Sequence, residues 1–408
     1  MMKKTGLGNK LFYIGFLLYC TATFLQTTML VENAAAERLF VYMRYLAFAL
    51  GFAQVVKNWI APERGIAPIR KKTERKRAVW CMILLLVAGV SSLVSHDRTF
   101  LACVLFIMAS ERAGHRRMFR ITFLFLVCGT AFVMLLAGTG VIPDLMFKRQ
   151  DIPVRHSLGF NYPSMAMSCL FFIVTIYLWL RSMEITAAEL AVIELVNFAM
   201  YRLTDARFGF LMIALLPVIV YLWNRASVRK RIRNLAGGRL LPVIGRLADS
   251  TGLLLTVLLF LMIALLPTGL GQLLDRLLTG RLGYARAALQ NYGVHLFGNR
   301  IEWIGFGGSY DTDSLLAEYN YVDNSYGFLL LNFGILVLIM ILAMLYVTAR
   351  RARLEYTDGR ALLVVWMMLY CFVEPRLADI YLNPFLFLAA PFVCGRRKRI
   401  RKRMGGRT

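Results

Sequence analysis

The chain has 408 residues, of which 59% are apolar and only 17% are charged, and its mean hydropathy is +0.60. Soluble domains average about 45–50% apolar and about 25% charged residues, so the composition excludes an ordinary soluble protein. The net charge of +25 would suit a nucleic-acid-binding protein, but the basic residues lie between apolar segments, where membrane topology explains them. The sequence predicts an all-α polytopic membrane protein.

About twelve apolar segments approach the length of about 20 residues that spans a bilayer. In chain order they cover residues 11–31, 39–60, 79–95, 99–110, 121–142, 158–180, 187–203, 208–224, 251–267, 326–349, 361–379 and 381–395. No internal repeat and no Gly/Ser linker divides them. We therefore expect residues 1–408 to form a single transmembrane domain.

The basic residues predict the orientation of these segments. If the N-terminus is cytoplasmic and the sides alternate, 34 of the 48 Lys and Arg residues fall in cytoplasmic segments and 10 in outside loops. Cytoplasmic loops are enriched in Lys and Arg, so this distribution predicts that both termini are cytoplasmic. The basic tail, residues 396–408, then lies inside, and one large loop, residues 268–325, lies outside.

The loop of residues 268–325 is the largest non-membrane segment. Its first half carries leucines at helical spacing, which predict an amphipathic helix on the membrane surface: Leu270, Leu273, Leu274, Leu277 and Leu278. Its second half is rich in glycine, aromatic and acidic residues. Loops of this length are usually functional, so we expect a cap over a site on the outer face.

Ionisable residues at the ends of spans are costly in lipid and tend to mark functional sites. By the predicted topology, those on the outer side are Arg155, His156, Asp205, Arg207, Asp323, Glu374, Arg376 and Asp379. They come from four separate stretches of chain, which predicts one polar site at this face. The sequence Asp311-Thr312-Asp313 has the form of a metal-diphosphate motif, but so short a pattern arises often by chance. No P-loop, zinc HExxH or GxSxG motif occurs in the chain.

Four motifs in order resemble those of Wzy-type polysaccharide polymerases of Gram-positive bacteria. Residues 155–164, RHSLGFNYPS, resemble the RxSLGFxxPN segment of this family, and residues 204–209, TDARFG, its second arginine motif. Residues 281–298 are similar to its large outer loop, and YVDNSY at 321–326, followed by NFGI at 332–335, to its closing motif. The resemblance covers residues 155–345. Ser164 and Ala206 depart from the pattern and receive no role.

The resemblance implies a GT-C-like glycosyltransferase. Because arginines accompany the carboxylates of the predicted site, we expect it to need no metal, and we predict no other cofactor. A growing glycan on undecaprenyl diphosphate is transferred to the non-reducing-end hydroxyl of a new lipid-linked repeat unit, at the outer face of the cytoplasmic membrane. The implied partners are this donor and acceptor, the lipid bilayer and a membrane protein that regulates chain length, with no nucleic acid.

A diphosphate leaving group calls for guanidinium groups, which bind phosphate through two hydrogen bonds and stay charged. Arg155, Arg207 and either Arg281 or Arg286 are the candidates. The acceptor hydroxyl must lose a proton, for which Asp323, Glu374 and His156 are alternative bases. Further substrate-binding candidates are Asn161, Tyr284, Trp303, Tyr310, Asn324, Tyr326 and Arg376; for the aromatic residues, anchoring at the membrane interface is the alternative.

Two other functions compete with polymerisation. A glycan ligase of the same superfamily would have a similar number of spans and a similar outer loop, and only the VDNSY segment favours the polymerase. A transporter or flippase would have charges at mid-span and broken helices in paired halves. The two halves of the chain show no such symmetry. Its ionisable residues cluster at the predicted outer face, which favours an enzyme.

Overall fold

A computed structural model describes residues 9–60, 71–149, 152–224, 242–305, 319–356 and 359–395. The described chain is mostly helical. Its first helices are α1 (Lys10–Leu25), α2 (Ala34–Ile60), α3 (Lys71–Ser95), α4 (Thr99–Ala109), α5 (His115–Gly138), α6 (Pro163–Leu180), α7 (Ala187–Thr204) and α8 (Arg207–Trp223). The basic tail and the candidates Tyr310, Asp311 and Asp313 lie outside the described residues.

The remaining helices surround the loop of residues 268–325. They are α9 (Pro242–Asp249), α10 (Thr251–Leu265), α11 (Gly269–Leu277), α12 (Arg281–Tyr292), α13 (Ser325–Phe333), α14 (Ile335–Glu355), α15 (Ala361–Tyr370) and α16 (Ala390–Val393). Short 3-10 helices cover Met29–Glu32, Ser110–Arg112 and Pro384–Ala389.

The chain is a helical membrane protein. Among the described residues, five helices are long and apolar enough to cross a bilayer, namely α2, α3 from Arg75, α5, α6 and α14. The pair α9 and α10, bent by 66°, would make a sixth if it forms one span. Each of the twelve apolar segments overlaps a helix, but α1, α4, α8, α15 and the helical stretch Pro384–Val393 are shorter than a bilayer-spanning helix.

Helix α6 is the most buried of the five bilayer-length helices. Of its most apolar stretch 78% is buried, against 28% for α2 and 22% for α5, whose outward faces are apolar. Such apolar outward faces suit contact with lipid. Helix α6 begins at Pro163, a residue favoured in the first turn of a helix. The residues just before Pro163 therefore lie at the end of a buried helix.

The exception to the all-α prediction is a two-stranded hairpin between α5 and α6. Strands β1 (Met146–Arg149) and β2 (Ile152–His156) pair antiparallel, with Met146 opposite His156 and Phe147 opposite Arg155. Successive side chains of a strand point to opposite faces. Accordingly Val154 is 37% exposed and Arg155 only 8%. Strands this short give little periodicity, which is why the sequence did not reveal them.

The predicted span of residues 326–349 is broken at Gly334 into α13 and α14. Gly334 has φ +91° and Gly298 has φ +89°, a conformation that glycine adopts without strain. Residues 295–299 dock into the break: the amides of Ile335 and Leu336 donate to the carbonyls of residues 295 and 296, at 3.0 and 3.2 Å. The LFG and NFG sequences of the two segments therefore meet in space.

The predicted span of residues 361–379 also ends early, because α15 stops at Tyr370 and irregular backbone follows. Pro375 lacks an amide hydrogen and disfavours helical conformation at the residue before it. Residues 371–383 are nevertheless largely buried. At membrane depth, non-helical backbone is tolerated only where protein encloses it or where it lines a cavity. Its polar groups must therefore find partners within the protein.

Candidate functional site

Arg281, the first residue of α12, is the centre of a cluster of charged side chains. Its Nε lies 3.6 Å from Oδ2 of Asp323, and its Nη2 lies 3.9 Å from Oε1 of Glu374. Its Nη1 donates a hydrogen bond to the carbonyl oxygen of Val373. Burial lowers the pKa of Arg281, but the carboxylates of Asp323 and Glu374 outweigh burial and raise the pKa overall. The guanidinium is therefore permanently charged.

The carboxylate of Asp323 is partly exposed and accepts a hydrogen bond from a neighbouring side chain. Its side chain is 27% exposed, and its Oδ2 accepts a hydrogen bond of 3.2 Å from the hydroxyl of Tyr319. Burial, and then the nearby Asp323, raise the pKa of the Tyr319 phenol, so that phenol remains a donor. The ring of Tyr319 packs edge-on against Tyr284 at 4.7 Å between ring centroids. Tyr284, a predicted binding residue, thus lies at this cluster.

Glu374 is the most enclosed acid of the cluster, with a side chain that is 8% exposed. Its Oε2 accepts a hydrogen bond of 3.4 Å from Ser164, in the first turn of α6. Ser164 has no predicted role, because it departs from the motif that this segment resembles. The structure shows that the position faces Glu374 all the same.

Asn324 and Ser325 hold the irregular segment that carries Glu374. The Asn324 side-chain oxygen accepts from the amides of residues 326 and 327, at 2.8 and 3.0 Å, and so caps α13. Its side-chain amide donates to the carbonyl of Phe372. Ser325 Oγ donates to the carbonyl of Glu374 at 2.7 Å and accepts from the amide of Leu377 at 3.2 Å. Asn324 is therefore a positioning residue.

Arg155 is held by Thr204 and Tyr162. Its Nε donates to the carbonyl of Thr204 at 2.9 Å, and its Nη1 donates to the Tyr162 hydroxyl at 3.4 Å. The guanidinium lies 5.5 Å from the centre of the Tyr162 ring. Arg155, a predicted site residue, is thus held by a backbone carbonyl and by the aromatic side chain of Tyr162.

Arg207 and His156 lie apart from these contacts. Arg207 is 71% exposed, and its Nε is 3.4 Å from Oδ1 of Asp205. The Nδ1 of His156 is 2.6 Å from Oδ2 of Asp144, an acid that the sequence analysis missed. The structure brings Asp323 and Glu374 to Arg281, whereas His156 is anchored at the hairpin.

The other predicted residues have varied surroundings. Tyr326 is fully buried, and its hydroxyl donates to the carbonyl of Met368, so it is a core residue rather than an exposed sugar platform. Trp303 packs against aromatic neighbours and donates from Nε1 to Asn332 at 3.2 Å. Asn161 donates its backbone amide to the carbonyl of residue 27. Arg286 is half-buried on α12.

Arg376 belongs to a separate cavity of about 180 Å³, lined also by Asp97, Tyr321 and Asp379. The Nη1 of Arg376 is 3.5 Å from Oδ2 of Asp379, and its Nε is buried with no hydrogen-bond partner among the described residues. Asp97 lies in the short turn between α3 and α4. Asp97 also lies on the predicted outer side, but it is not among the residues predicted from the sequence.

Within the described ranges, no three His, Cys, Asp or Glu side chains are grouped so that they can hold a metal ion. No protein-family model matches the chain, and searches of the curated proteins and of the solved structures find no match either. The fold and the site therefore define the class: a helical membrane protein in which Arg281 and two acids, Asp323 and Glu374, cluster where several helices end.

Proposed function

We propose that this protein is a Wzy-type polysaccharide polymerase, which joins undecaprenyl-diphosphate-linked repeat units at the outer face of the cytoplasmic membrane. The observation that carries the proposal is the position of Arg281 between Asp323 and Glu374. These residues belong to the segments that resemble the family motifs, or follow α15.

The proposed reaction breaks the bond between the donor sugar's anomeric carbon and the diphosphate oxygen. The diphosphate leaves with the electron pair, and the acceptor hydroxyl forms the new bond and loses its proton. Fixed guanidinium groups stabilise the charge that grows on the leaving group, which supports roles for Arg155 and Arg281. Arg207 is exposed enough to reach a headgroup.

Asp323 and Glu374 are the two carboxylates suited to take the acceptor proton, since both lie beside Arg281. Asp323 is the more exposed of the two and hence the more accessible to an entering hydroxyl. Asn324 and Ser325 fix the backbone on which Glu374 sits. We assign His156 a lower rank, because its ring is already paired with Asp144.

The proposal includes twelve spans with both termini cytoplasmic and a GT-C-like arrangement. The unequal distribution of Lys and Arg supports this topology. The leucines of α11 support contact of the cap with lipid, because Leu270, Leu273 and Leu277 are 57%, 54% and 71% exposed. The short helices α1, α8 and α15 would cross the bilayer together with their irregular extensions, as enclosed backbone permits.

The test is incubation of the full-length protein, in lipid nanodiscs, with lipid-diphosphate-linked oligosaccharide from its native membrane. Polymerisation gives a ladder of products that differ by one repeat unit. Arg281→Ala should abolish the ladder, whereas Arg276→Ala, a change of an exposed arginine on the neighbouring helix α11, should not. Transfer of finished polymer to a different acceptor would instead identify a ligase, and movement of intact lipid across vesicles a transporter.

A further inference from the structure

The cavity around Arg376 has a lining that suits one neutral sugar. Its volume of about 180 Å³ exceeds the roughly 150 Å³ cavity that accommodates a benzene ring. Unlike such an apolar cavity, it is lined by three charged side chains, those of Asp97, Arg376 and Asp379, together with apolar and aromatic residues. A ring with hydroxyl groups along its edge matches both features.

The charges of the lining disfavour an anion. The guanidinium of Arg376 is already compensated by Asp379, at 3.5 Å, and Asp97 adds a second carboxylate. A phosphate or uronate would meet this excess of negative charge. Hydroxyl groups of a neutral sugar can instead donate to the two carboxylates and accept from the guanidinium.

Two half-buried aromatic rings belong to the lining. Tyr321 and Phe328 lie at one side of the cavity, with 6.0 Å between their ring centroids. The apolar C–H face of a pyranose packs well against such rings, while its edge remains free for hydrogen bonds. The cavity therefore offers an apolar surface and a charged edge.

The cavity adjoins the Arg281 cluster through one turn of chain. Ser325 lines the cavity, and its Oγ is bonded to the carbonyl of Glu374 and the amide of Leu377, so it fixes both ends of the turn. Glu374 and Arg376 interact electrostatically across this turn. The cavity and the Arg281 cluster are therefore adjacent in the fold.

We propose that this cavity is the subsite for the terminal sugar of the acceptor repeat unit, and that the residue it takes is neutral. The inference rests on the polymerase function proposed above and adds a substrate class to it. The Arg281 cluster would face the charged diphosphate, and the Arg376 cavity would bind the uncharged end of the other substrate.

Binding of free oligosaccharides to the full-length protein in nanodiscs tests this assignment. The probes are oligosaccharides that end in glucose or N-acetylglucosamine and matched ones that end in glucuronic acid. We expect the neutral ends to bind about tenfold more tightly or better, as one lost charged hydrogen bond implies. Equal or tighter binding of the uronate-ended probes, or no binding of any probe, would overturn the assignment.

Two variants address the cavity itself. Asp379→Asn keeps the shape and one acceptor oxygen but removes a charge, so it should weaken binding of neutral ends and narrow their advantage over uronates. Ala378→Leu should block the cavity, because residue 378 lines it. Glu302→Gln, at an 89% exposed acid, should change neither quantity. A merely structural role of Asp379 would not alter the neutral-to-uronate ratio, so an unchanged ratio contradicts the assignment.

The two proposals can fail separately. A product ladder that persists at the parental rate in Asp379→Asn and Ala378→Leu would overturn the sugar subsite and leave the polymerase in place. Binding of neutral glycans that depends on Asp379, with no ladder from lipid-linked substrate, would overturn the polymerase and leave the subsite.

Discussion

The guanidinium of Arg281 and the carboxylate of Asp323 lie 3.6 Å apart and are similarly enclosed, with 28% and 27% of their side chains exposed. Arg281 begins α12, and Asp323 directly precedes the residue that caps α13. The ion pair therefore ties the first part of the loop of residues 268–325 to its end. It also brings both residues to Glu374, so the loop and the bundle share one cluster of charges.

Arg281→Lys should reduce the rate of polymerisation about tenfold to a thousandfold, the range expected when one preorganised charge donor is lost. Lysine keeps the charge but cannot contact Asp323, Glu374 and the carbonyl of Val373 together. The measurement is the initial rate of ladder formation at matched protein abundance. Arg276→Lys, on α11, is the control, and a near-parental rate for Arg281→Lys would refute the role of this guanidinium.

If both arginines bind the diphosphate, Arg155→Lys and Arg207→Lys should each slow polymerisation, because each should raise the activation free energy by about 1.4–4 kcal/mol. They should differ in stability. The 8%-exposed Arg155 holds Thr204 and Tyr162, so its replacement should lower the melting temperature. The exposed pair of Arg207 with Asp205 is worth about 0–1 kcal/mol, and lysine can replace it.

The comparison of these two lysine variants needs both the initial rate and the melting temperature in the same membrane preparation. If both variants polymerise near the parental rate, Arg155 and Arg207 do not bind the diphosphate. The positive charge that stabilises the leaving group must then come from Arg281, Arg286 or Arg376. If Arg207→Lys alone retains activity, its pairing with Asp205 is its main role.

Gly298→Ala and Gly334→Ala should each destabilise the protein. A Cβ atom at Gly298 would lie 2.1 Å from the carbonyl oxygen of Asn332, and one at Gly334 would lie 2.3 Å from the amide nitrogen of Gly298. Strain at positive φ alone costs about 1–3 kcal/mol, and the backbone overlap adds to it. Thermal unfolding in detergent measures the effect. Gly89→Ala, at a helical glycine with open space, should be neutral or slightly stabilising; equal behaviour of all three would contradict the docking of the loop.

Topology reporters fused after Asp358 and after Arg399 should read as cytoplasmic, and one near Asp311 as outside. The three fusion points lie outside the described residues, and the expectation rests on the distribution of Lys and Arg. A cytoplasmic signal at Asp311 would place the loop, and with it Arg281 and Asp323, on the wrong side of the membrane for lipid-linked repeat units.

Polymerisation should survive chelation with EDTA. The companions of Asp323 and Glu374 are arginines, and a guanidinium does part of the electrostatic work that a divalent ion does at a diphosphate. The ladder assay with and without EDTA decides this. Loss of activity that Mg²⁺ or Mn²⁺ restores would be the opposite result and would make Asp311 and Asp313 the first candidates for metal ligands.

Apolar periodicity and charge were enough to predict a helical membrane protein, because burial in lipid demands long apolar helices whose backbone groups are paired within the segment. They also marked the loop of residues 268–325, whose amphipathic start is α11 and whose last motif residues open α13. The short hairpin that carries Arg155 left no comparable pattern, since two strands of four and five residues give too few alternations.

Only the tertiary structure decided which polar residues meet. The sequence offered Asp323, Glu374 and His156 as equal alternatives, and long-range contacts set the first two beside Arg281 and the third beside Asp144. The tertiary structure likewise buries Tyr326 in the core and places Asp97 and Asp379 in the lining of one cavity. The physical reason is that periodicity is a local property of the chain, whereas the breaks at Gly334 and Pro375 depend on partners far along it, such as residues 295–299 and Ser325.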